Sequence, residues 1–434
     1  SEHKIPLDKI SRNAIAVVEK LQKSGHKAYL VGGCVRDLLI GRSPKDFDVV
    51  TSATPTVIKH VFGRARIIGR RFKIVHIPFG QEIIETATFR ALPDNTGDDR
   101  EEDLLLKRDN EYGNEREDAI RRDFTINALF FDPVKQVILD YVGGYQDLKQ
   151  GIIRIIGNPN ISYREDPVRM IRAVKFQATT GFKLEKATLA EIGKLAEDIL
   201  KCSTARVIEE IYKIMRSGVS LQTFRNLIGT SLIKYLIPKI HEMLAKTPPS
   251  RLGETPLGKR LTILDELTKT GRKFNNVLYL SIIFYDLIHL EVEKSEHPDM
   301  GYIANNYLTE ISRNMGFSRR DKDLMVKVVV AQNRFENSGK RSRQFVNRFL
   351  FRDYFKDSLD FYEINGRVNG SGAEDVRFWV KQYKNNLNKI QTLRQEERNE
   401  RRESNRRGRS RGRRGGTRSR SVKERPAAPE ADGQ

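Results

Sequence analysis

The chain has 434 residues, 38% hydrophobic and 31% charged, so it is long enough for two or three domains with sizeable buried cores. Its 78 Lys and Arg exceed its 57 Asp and Glu and leave a formal net charge of +21, which favours a polyanionic partner, usually nucleic acid. The longest apolar run, 277–290, contains Asp286 and is too short to cross a bilayer, which argues against a membrane-spanning protein and predicts a buried helix.

The start of the chain and its cysteines bear on the compartment. Residues 1–6 contain no apolar segment, so we expect no secretory signal. Cys34 and Cys202 are the only two cysteines, and they show neither metal-ligand nor redox spacing. This pattern is typical of a reducing cytoplasm, where we expect the protein to reside. The positive charge taken alone leaves a membrane-surface binder open as an alternative.

Residues 1–150 alternate short helical and strand-like segments, which predicts an α/β head built on a small mixed sheet. Helices are expected from Lys9 to Lys23, between Gly33 and Gly41, and from Thr54-Pro55 to Gly63. Strands are expected at 28–31, 46–51, 67–68, 74–79 and 82–89. The acidic, glycine-punctuated segment 92–113 is expected to be a mobile loop.

From Arg164 onward the pattern becomes helical, and it stays so to about Leu393. We therefore expect an all-helical neck at 151–218 and a helical, RNA-binding body at 219–393, in which Trp379 and neighbouring aromatic residues pack a core. The remainder, 394–434, is rich in Arg, Gly, Ser and Pro and almost devoid of apolar residues, so it is expected to be disordered.

Two aspartates in the second predicted strand form the sharpest candidate site. Asp46 and Asp48 are two residues apart, so on a strand they project from the same face while Phe47 packs behind. Paired carboxylates suit a divalent cation, for which we expect Mg²⁺, with Mn²⁺ as the alternative ion. Glu85, on a neighbouring predicted strand, is the candidate third acid. An isolated Asp-x-Asp is more often a solvated strand end, and a lone strand glutamate is normally just exposed.

A Gly-Gly pair precedes these acids at a strand-to-helix turn. Gly32 and Gly33 permit close backbone approach to a triphosphate, which would face the start of the following helix. Arg36, one helical turn later, is expected to reach the same phosphates. The ordinary alternative is a simple turn, and the combination with the two aspartates makes the phosphate interpretation much more specific.

Four motifs in this order resemble the nucleotidyltransferase family shared by bacterial poly(A) polymerases and class II CCA-adding enzymes. They lie at 30–39, 45–49, 121–128 and 164–173. The resemblance implies a head–neck–body architecture and metal ligation by Asp46, Asp48 and Glu85. It also implies ribose and triphosphate contacts from the third motif, through Arg121, Asp123 and Asn127. Without the resemblance, that motif would be interpreted as a helix-capping Asp beside two surface arginines.

The fourth motif is suited to reading a base. On one helix, Glu165, Arg169 and Arg172 would form a single stripe, with Asp166 beside it. A carboxylate accepts from the exocyclic amine of adenine while a guanidinium donates to its ring N1. Cytosine offers the same pattern, whereas guanine and uracil reverse it, so Asp166 and Arg169 would select A or C against G or U. An intrahelical ion pair is the alternative.

Three features favour the poly(A) branch of this family. The run 67–72, Ile-Ile-Gly-Arg-Arg-Phe, resembles a sequence found in bacterial poly(A) polymerases, and its Arg70 and Arg71 are candidates to grip phosphates. The long head loop and Arg90-Ala-Leu-Pro also resemble that branch. From Arg394 to Arg425 there are thirteen Arg and one Lys against five Glu, which predicts sequence-independent RNA binding, or else a merely solubilising tail.

The sequence thus predicts template-independent addition of AMP from ATP to RNA 3′ ends. The alternatives are a CCA- or A-adding tRNA nucleotidyltransferase and, in another class, a noncatalytic RNA-binding protein. No His/Asp cluster of the phosphohydrolase type occurs in the sequence, so no phosphodiesterase activity is expected.

Overall fold

A computed structural model describes residues 5–69, 73–92, 112–296, 299–393 and 395–396. Its N-terminal part is a seven-stranded sheet in the order β3-β4-β5-β2-β1-β6-β7. The strands are β1 (Ala28–Val31), β2 (Asp48–Thr51), β3 (Arg66–Ile68), β4 (Ile74–Phe79), β5 (Glu82–Thr88), β6 (Leu129–Asp132) and β7 (Val137–Asp140). Only the β2–β5 pairing is parallel, and the other neighbours are antiparallel. This confirms the predicted α/β head with a mixed sheet.

Helices pack on both faces of this sheet. They are α1 (Arg12–Lys23), α2 (Gly33–Leu39), α3 (Pro55–Val61), α4 (Glu115–Ile120) and α5 (Gly144–Gln150). The predicted cap of α3 is confirmed, because the Thr54 hydroxyl accepts from the Val57 N–H and Pro55 occupies the first turn. Apolar residues of α1 and α3 pack on alternate strand residues such as Val49 and Val75. On the opposite face α4 covers one part, and the remainder at β2 to β5 is available for polar side chains.

Two predictions for the head need correction. The second strand does not begin at residue 46, because the pairing with β1 ends at Val31 opposite Asp48, so Asp46 lies in the preceding loop. Strands β6 and β7 were not predicted at all. All four residues of β6 are buried, so its sequence, Leu-Phe-Phe-Asp, lacks the alternation that marks a half-exposed strand.

The neck contains four longer helices, α6 (Pro159–Glu165), α7 (Val168–Thr180), α8 (Lys186–Leu195) and α9 (Thr204–Met215). It is not entirely helical, since β8 (Ile152–Ile153) and β9 (Lys183–Leu184) form a small parallel pair. The predicted continuous helix through the fourth motif is wrong. It is interrupted at Asp166-Pro167, where Asp166 has the non-helical φ of −146° and proline lacks the N–H needed to continue.

The body is helical, as predicted. Its helices are α10 (Ser220–Gly229), α11 (Leu232–Leu236), α12 (Pro238–Met243), α13 (Pro256–Lys269), α14 (Asn276–Lys294), α15 (Met300–Met315), α16 (Arg319–Val330), α17 (Arg343–Leu350), α18 (Phe355–Asn369) and α19 (Ala373–Asn385). Short 3₁₀ helices occur at Leu7–Lys9, Thr125–Asn127, Ala196–Lys201, Pro249–Glu254, Gln332–Arg334 and Ser338–Lys340. The apolar run 277–290 is the mostly buried part of α14, and within the described ranges no helix has the length and apolar character to span a membrane.

Two larger cores hold these helices together, and a third, smaller one packs α4 against the head sheet. One runs without interruption from Ile5 through the head and neck to Ile364 in the body. The other surrounds Trp379, which is fully buried and donates from Nε1 to the Phe335 carbonyl at 2.9 Å. The prediction that Trp379 packs a core is confirmed. Because one core links the head to the neck, side chains at their junction are held in defined positions.

Candidate active site

The predicted acids meet on the open face of the sheet. Asp48 on β2 is the register partner of Glu85 on the parallel strand β5, so the two carboxylates are direct neighbours. Glu85 also faces His76 on β4, with 3.4 Å between His76 Nε2 and Glu85 Oε1. Asp46 is exposed in the loop that leads into β2. The structure therefore brings Glu85 next to Asp48, as the sequence predicted, while Asp46 approaches from outside the strand.

This group of acids carries excess negative charge. Although Asp48 retains access to solvent, desolvation by the surrounding protein raises its pKa to about 6. The charges of Glu85 and Asp46 contribute to the rise, and the Arg122 guanidinium opposes it. Across the described residues, neither aspartate forms an ion pair, and no three His, Cys, Asp or Glu side chains already converge to enclose a metal ion. The site thus gathers carboxylates without neutralising them.

The glycine turn lies immediately beside these acids. Gly32 has φ 79° and ψ −131°, a conformation that strongly favours glycine, and it caps α2, whose first residue is Gly33. A Cβ atom at Gly32 would lie 3.5 Å from Arg122 Nη1 and 3.8 Å from the Asn127 carbonyl oxygen. Arg122 is held by Asp118, with 2.8 Å between Nη2 and Oδ2. Arg122 was not among the residues predicted from the sequence, although it is adjacent to Arg121 in the third motif.

A hydrogen-bonded chain links this turn to the neck. The buried Arg36 donates from Nη1 to Asn127 Oδ1 at 2.8 Å, and from Nε and Nη2 to Asp37. Asn127 donates in turn to Asp123 Oδ1 at 3.2 Å, and Asp123 Oδ2 accepts from Arg172 Nε at 2.6 Å. Burial alone would raise the pKa of Asp123, but the Arg172 charge and these hydrogen bonds lower it. Arg36 is thus engaged within the protein in this structure.

A cleft of about 600 Å³ opens at the junction between head and neck. It is lined by Arg121, Arg122, Asp123, Asp166, Val168, Arg169, Arg172, Ala205, Arg206, Glu209, Glu210 and Lys213. Five of the predicted nucleotide-binding residues are among them. The sequence analysis missed the contribution of α9, even though Arg206, Glu210 and Lys213 recur at the i, i+4 and i+7 spacing of one helical stripe, a signal that was present in the sequence.

The candidate base-reading residues of this cleft are paired with other side chains. Asp166 accepts from Arg206 Nη2 at 2.8 Å and from the Val168 backbone N–H at 3.3 Å. The mostly buried Arg169 forms an ion pair with Glu165 at 3.5 Å and donates to Ser162. Both side chains nevertheless line the cleft, on opposite sides of the helix break at Pro167.

Two of the predicted residues also lie beside a smaller cavity. Arg121 and Arg169 line both the cleft and a neighbouring cavity of about 190 Å³. Glu165 lines the smaller cavity but not the cleft. Arg121 Nη1 donates to the Ala91 carbonyl at 2.8 Å, and desolvation together with the charges of Arg90 and Arg169 lowers its pKa. Glu165 is therefore better placed to hold Arg169 than to contact a ligand in the larger cleft.

Arg172 completes the ionic wall of the cleft. Besides Asp123 it faces Glu210, 3.8 Å from its Nη1, and Glu210 is bound by Lys175 at 2.5 Å. The Arg172 guanidinium also lies over the Phe176 ring, 5.3 Å from the ring centroid, in a cation–π contact. Three predicted features lie outside the described residues, namely Arg70 and Arg71, nearly all of the head loop, and the Arg-rich tail apart from residues 395–396.

Three family models match consecutive parts of the chain. One described as "Poly A polymerase head domain" matches residues 28–154. A second, "Probable RNA and SrmB- binding site of polymerase A", matches 181–244. A third, "Polymerase A arginine-rich C-terminus", matches 293–414. Between them these matches cover the head from β1 onward, the neck helices α8 and α9, the first body helices, and the later body with part of the tail.

Curated relatives and solved structures agree with these matches. The chain is 35% identical to Poly(A) polymerase I of Salmonella typhi over 397 residues, which cover 88% of this chain and 84% of that protein. It is 36% identical to the CCA-adding enzyme of Staphylococcus saprophyticus over 220 residues, covering 51% and 54%. The fold is similar to the crystal structure of Bacillus stearothermophilus CCA-adding enzyme in complex with CTP, with TM-score 0.61, 21% identity, and coverage of 88% and 83%.

Proposed function

The chain belongs to the poly(A) polymerase family of RNA nucleotidyltransferases, and on that premise we propose that it adds AMP from ATP to RNA 3′ ends without a template. The observation that carries this proposal is the register pairing of Asp48 with Glu85 beside the Gly32 turn. It puts adjacent carboxylates next to a backbone turn that a triphosphate can approach closely. The noncatalytic alternative is disfavoured, because the chain aligns with poly(A) polymerases over nearly its whole length.

We assign the metal site to Asp46, Asp48 and Glu85, with Mg²⁺ as the expected ion and Mn²⁺ as the alternative. The side chains suit such an ion, because they are oxygen ligands. Desolvation and then the charges of Glu85 and Asp46 raise the pKa of Asp48, and a cation would relieve that repulsion. A bound divalent metal would lower the pKa of the RNA 3′-hydroxyl and stabilise the negative charge of the leaving pyrophosphate. The role proposed for the three acids is to hold the metal ion in place.

The remaining side chains are proposed to orient the nucleotide. Gly32 and Gly33 with Arg122 would accommodate the triphosphate, while Arg36, Asn127 and Asp123 hold Arg172 in place. Arg121 would contribute to the ribose and triphosphate contacts from the cleft wall. The network of hydrogen bonds from Arg36 to Arg172 supports this division of roles, because a fixed donor is preorganised for a ligand.

Base selection is assigned to Asp166 and Arg169 at the cleft. Their complementary acceptor and donor groups suit the amine and ring nitrogen of adenine or cytosine and would leave guanine or uracil unpaired. Their chemistry cannot separate ATP from CTP. We infer ATP preference from the relatives, since the alignment with a poly(A) polymerase covers 88% of the chain and that with a CCA-adding enzyme covers 51%.

A CCA- or A-adding tRNA nucleotidyltransferase is the second candidate. It is favoured by the shared fold and by the base-edge chemistry that A and C have in common. The purified protein should be incubated separately with ATP and CTP, on oligo(A) and on tRNA lacking its CCA end. Long tails from ATP on oligo(A) are the expected result, and termination after a few additions on tRNA alone would reject the poly(A) assignment. A double Asp46→Ala, Asp48→Ala variant should incorporate nothing.

Three further assignments complete the proposal. The head, neck, body and tail are proposed to be 1–150, 151–218, 219–393 and 394–434, with RNA bound by the body and by phosphate contacts of the tail. Deletion after Leu393 should weaken RNA binding and its salt dependence while sparing single-nucleotide addition, and an unchanged salt slope would refute the tail's role. A cytoplasmic location is consistent with two cysteines that both remain free thiols.

A further inference from the structure

A row of charged residues crosses the sheet at the level of the candidate metal site. The register pairs Asp48 with Glu85, Glu85 with His76, and His76 with Arg66 on the outermost strand, β3. Paired residues in adjacent strands project from the same face. The row therefore runs from two acids to a histidine and an arginine, and it continues away from the Gly32 turn toward the edge of the sheet.

Exposed aliphatic side chains flank this row. Ile83 lies two residues before Glu85 on β5 and is 52% exposed, and Ile68 lies two residues after Arg66 on β3 and is 46% exposed. Spacing of two residues puts both on the same face as the row. Arg66 is itself exposed and forms no ion pair with any described residue. A charged row bordered by apolar side chains matches the backbone and bases of a single RNA strand.

The chemistry of the reaction assigns opposite sides of the carboxylates to its two substrates. In an in-line displacement, the attacking oxygen and the leaving group lie on opposite sides of the reacting phosphorus. The Gly32 turn and Arg122 lie on the β1 side of Asp48, where the nucleotide's triphosphate is proposed to bind. The 3′-hydroxyl must then come from the other side, across β5, β4 and β3.

We propose that Arg66 and His76 bind the phosphates that lead to the RNA 3′ end, with Ile68 and Ile83 supporting the adjoining bases. With neighbouring strands about 5 Å apart, Arg66 lies on the order of 14 Å from the level of Asp48, within reach of a phosphate near the terminus. His76, which also holds Glu85, would contact the phosphate nearer the reacting hydroxyl. This inference rests on the proposed function for the direction of the strand, and it names residues that position the RNA.

The test measures RNA binding separately from catalysis. A 5′-fluorescein-labelled hexamer of adenylate is titrated with the full-length protein, without nucleotide, and binding is followed by anisotropy over a range of salt concentrations. Arg66→Ala should weaken binding about two- to fivefold and reduce the slope of log affinity against log salt by about 0.7, the value for one phosphate contact on a single strand. The KM for the oligomer should rise while the KM for ATP stays unchanged.

A matched control lies on the opposite side of the sheet. Lys59 is an exposed cation on α3, whose apolar residues pack on the other sheet face. Lys59→Ala removes one positive charge but should leave both the affinity and the salt slope within error. Equal effects of Arg66→Ala and Lys59→Ala would overturn the proposal, because the loss would then reflect net charge alone.

Neutral linkages in the RNA locate the contact. One phosphodiester at a time, counted from the 3′ end, is replaced by an uncharged methylphosphonate. One of the first three replacements should weaken binding to the unchanged protein and to His76→Gln, yet have no further effect on Arg66→Ala. Additive losses at every position would refute the contact. Failure of the proposed function would appear differently, as no long tails from ATP on oligo(A) with the unchanged protein, whereas the binding cycle does not depend on turnover.

Discussion

The acidic end of the charged row, Asp48 with Glu85, differs from the cleft between head and neck in how its charges are compensated. In the row, Asp48 and Glu85 are adjacent and their repulsion contributes to the raised pKa of Asp48. In the cleft, acids and cations are already joined, with Arg172 on Asp123 and Arg206 on Asp166. The difference indicates that the acidic end of the row needs positive charge from outside the chain, whereas the cleft is assembled before any ligand arrives.

The largest expected effect comes from removing one charge of the row. Asp48→Asn keeps the shape of the side chain but lowers the negative charge, so adenylate incorporation should fall by about 10³-fold or more, a loss of roughly 4 kcal/mol in transition-state stabilisation. Single-turnover incorporation on oligo(A) measures this. Asp353→Asn, on an exposed aspartate of the body, is the control and should retain full activity. If Asp48→Asn kept a tenth of the activity, the row would not be the catalytic centre.

The next largest effect concerns stability, and it should appear in the cleft. Asp123 is buried in its ion pair with Arg172, so Asp123→Asn leaves the guanidinium with only the more distant Glu210, at 3.8 Å, as a counter-charge. The cost should be about 3 kcal/mol, seen as a lower urea midpoint by far-UV circular dichroism. In the control, Glu254→Gln breaks the exposed pair with Arg251 and should leave the midpoint unchanged. Equal midpoints for both variants would show that the cleft is not held by its buried charges.

The same contrast explains which parts could be predicted from sequence. Local patterns found β1, β4 and the Thr54 cap, because alternation and capping depend on neighbouring residues. They failed for β6, which is buried on both faces, and for the start of β2, which pairing with a distant strand decides. Glu85 could be named as a candidate third acid on a neighbouring strand, but the parallel register that puts it opposite Asp48 depends on how β2 and β5 pair in the fold.

The ion pairs inside the cleft could not be predicted from local sequence patterns. Asp166 and Arg206 lie on different elements forty residues apart, and only the packing of α9 against α7 brings them together. Arg122 lies within the third motif, but no sequence rule says which of two adjacent arginines faces the Gly32 turn. The helix break at Pro167 could have been predicted from the local sequence, because proline disfavours a helical conformation at the residue before it. The helical spacing of the charged residues in the motif favoured a continuous helix instead.

The row should also make stability depend on pH and on metal. Because the folded pKa of Asp48 is raised to about 6 from 3.8, the folded state binds this proton more tightly than the unfolded state. Its contribution is therefore most favourable below about pH 4, is lost as pH rises toward 6, and stays lost at pH 7. Allowing for solvent screening, the penalty is about 1 kcal/mol.

Thermal unfolding tests this linkage directly. At pH 7 without metal, Asp48→Asn should unfold at a slightly higher temperature than the unchanged protein. Millimolar Mg²⁺ should raise the unfolding temperature of the unchanged protein and much less that of Asp48→Asn. An equal Mg²⁺ shift in both proteins would mean that the ion binds elsewhere, and the contrast between an uncompensated row and a compensated cleft would lose its main support.

The smallest effect is expected at the rim of the cleft, where Arg206 meets Asp166. The Arg206 side chain is 56% exposed, and Asp166 keeps its contact with the Val168 N–H when Arg206 is removed, so the fold should not depend on this pair. Asp166 would, however, lose the partner that orients its carboxylate toward the base. Arg206→Ala should therefore raise the KM for ATP about two- to fivefold without changing the unfolding temperature. Lys239→Ala, which breaks the exposed body pair with Glu242, should change neither quantity. If Arg206→Ala raised the KM and also lowered the unfolding temperature, Arg206 would be a residue that stabilises the neck. If the KM for ATP did not change, Asp166 would not be part of the base-binding site.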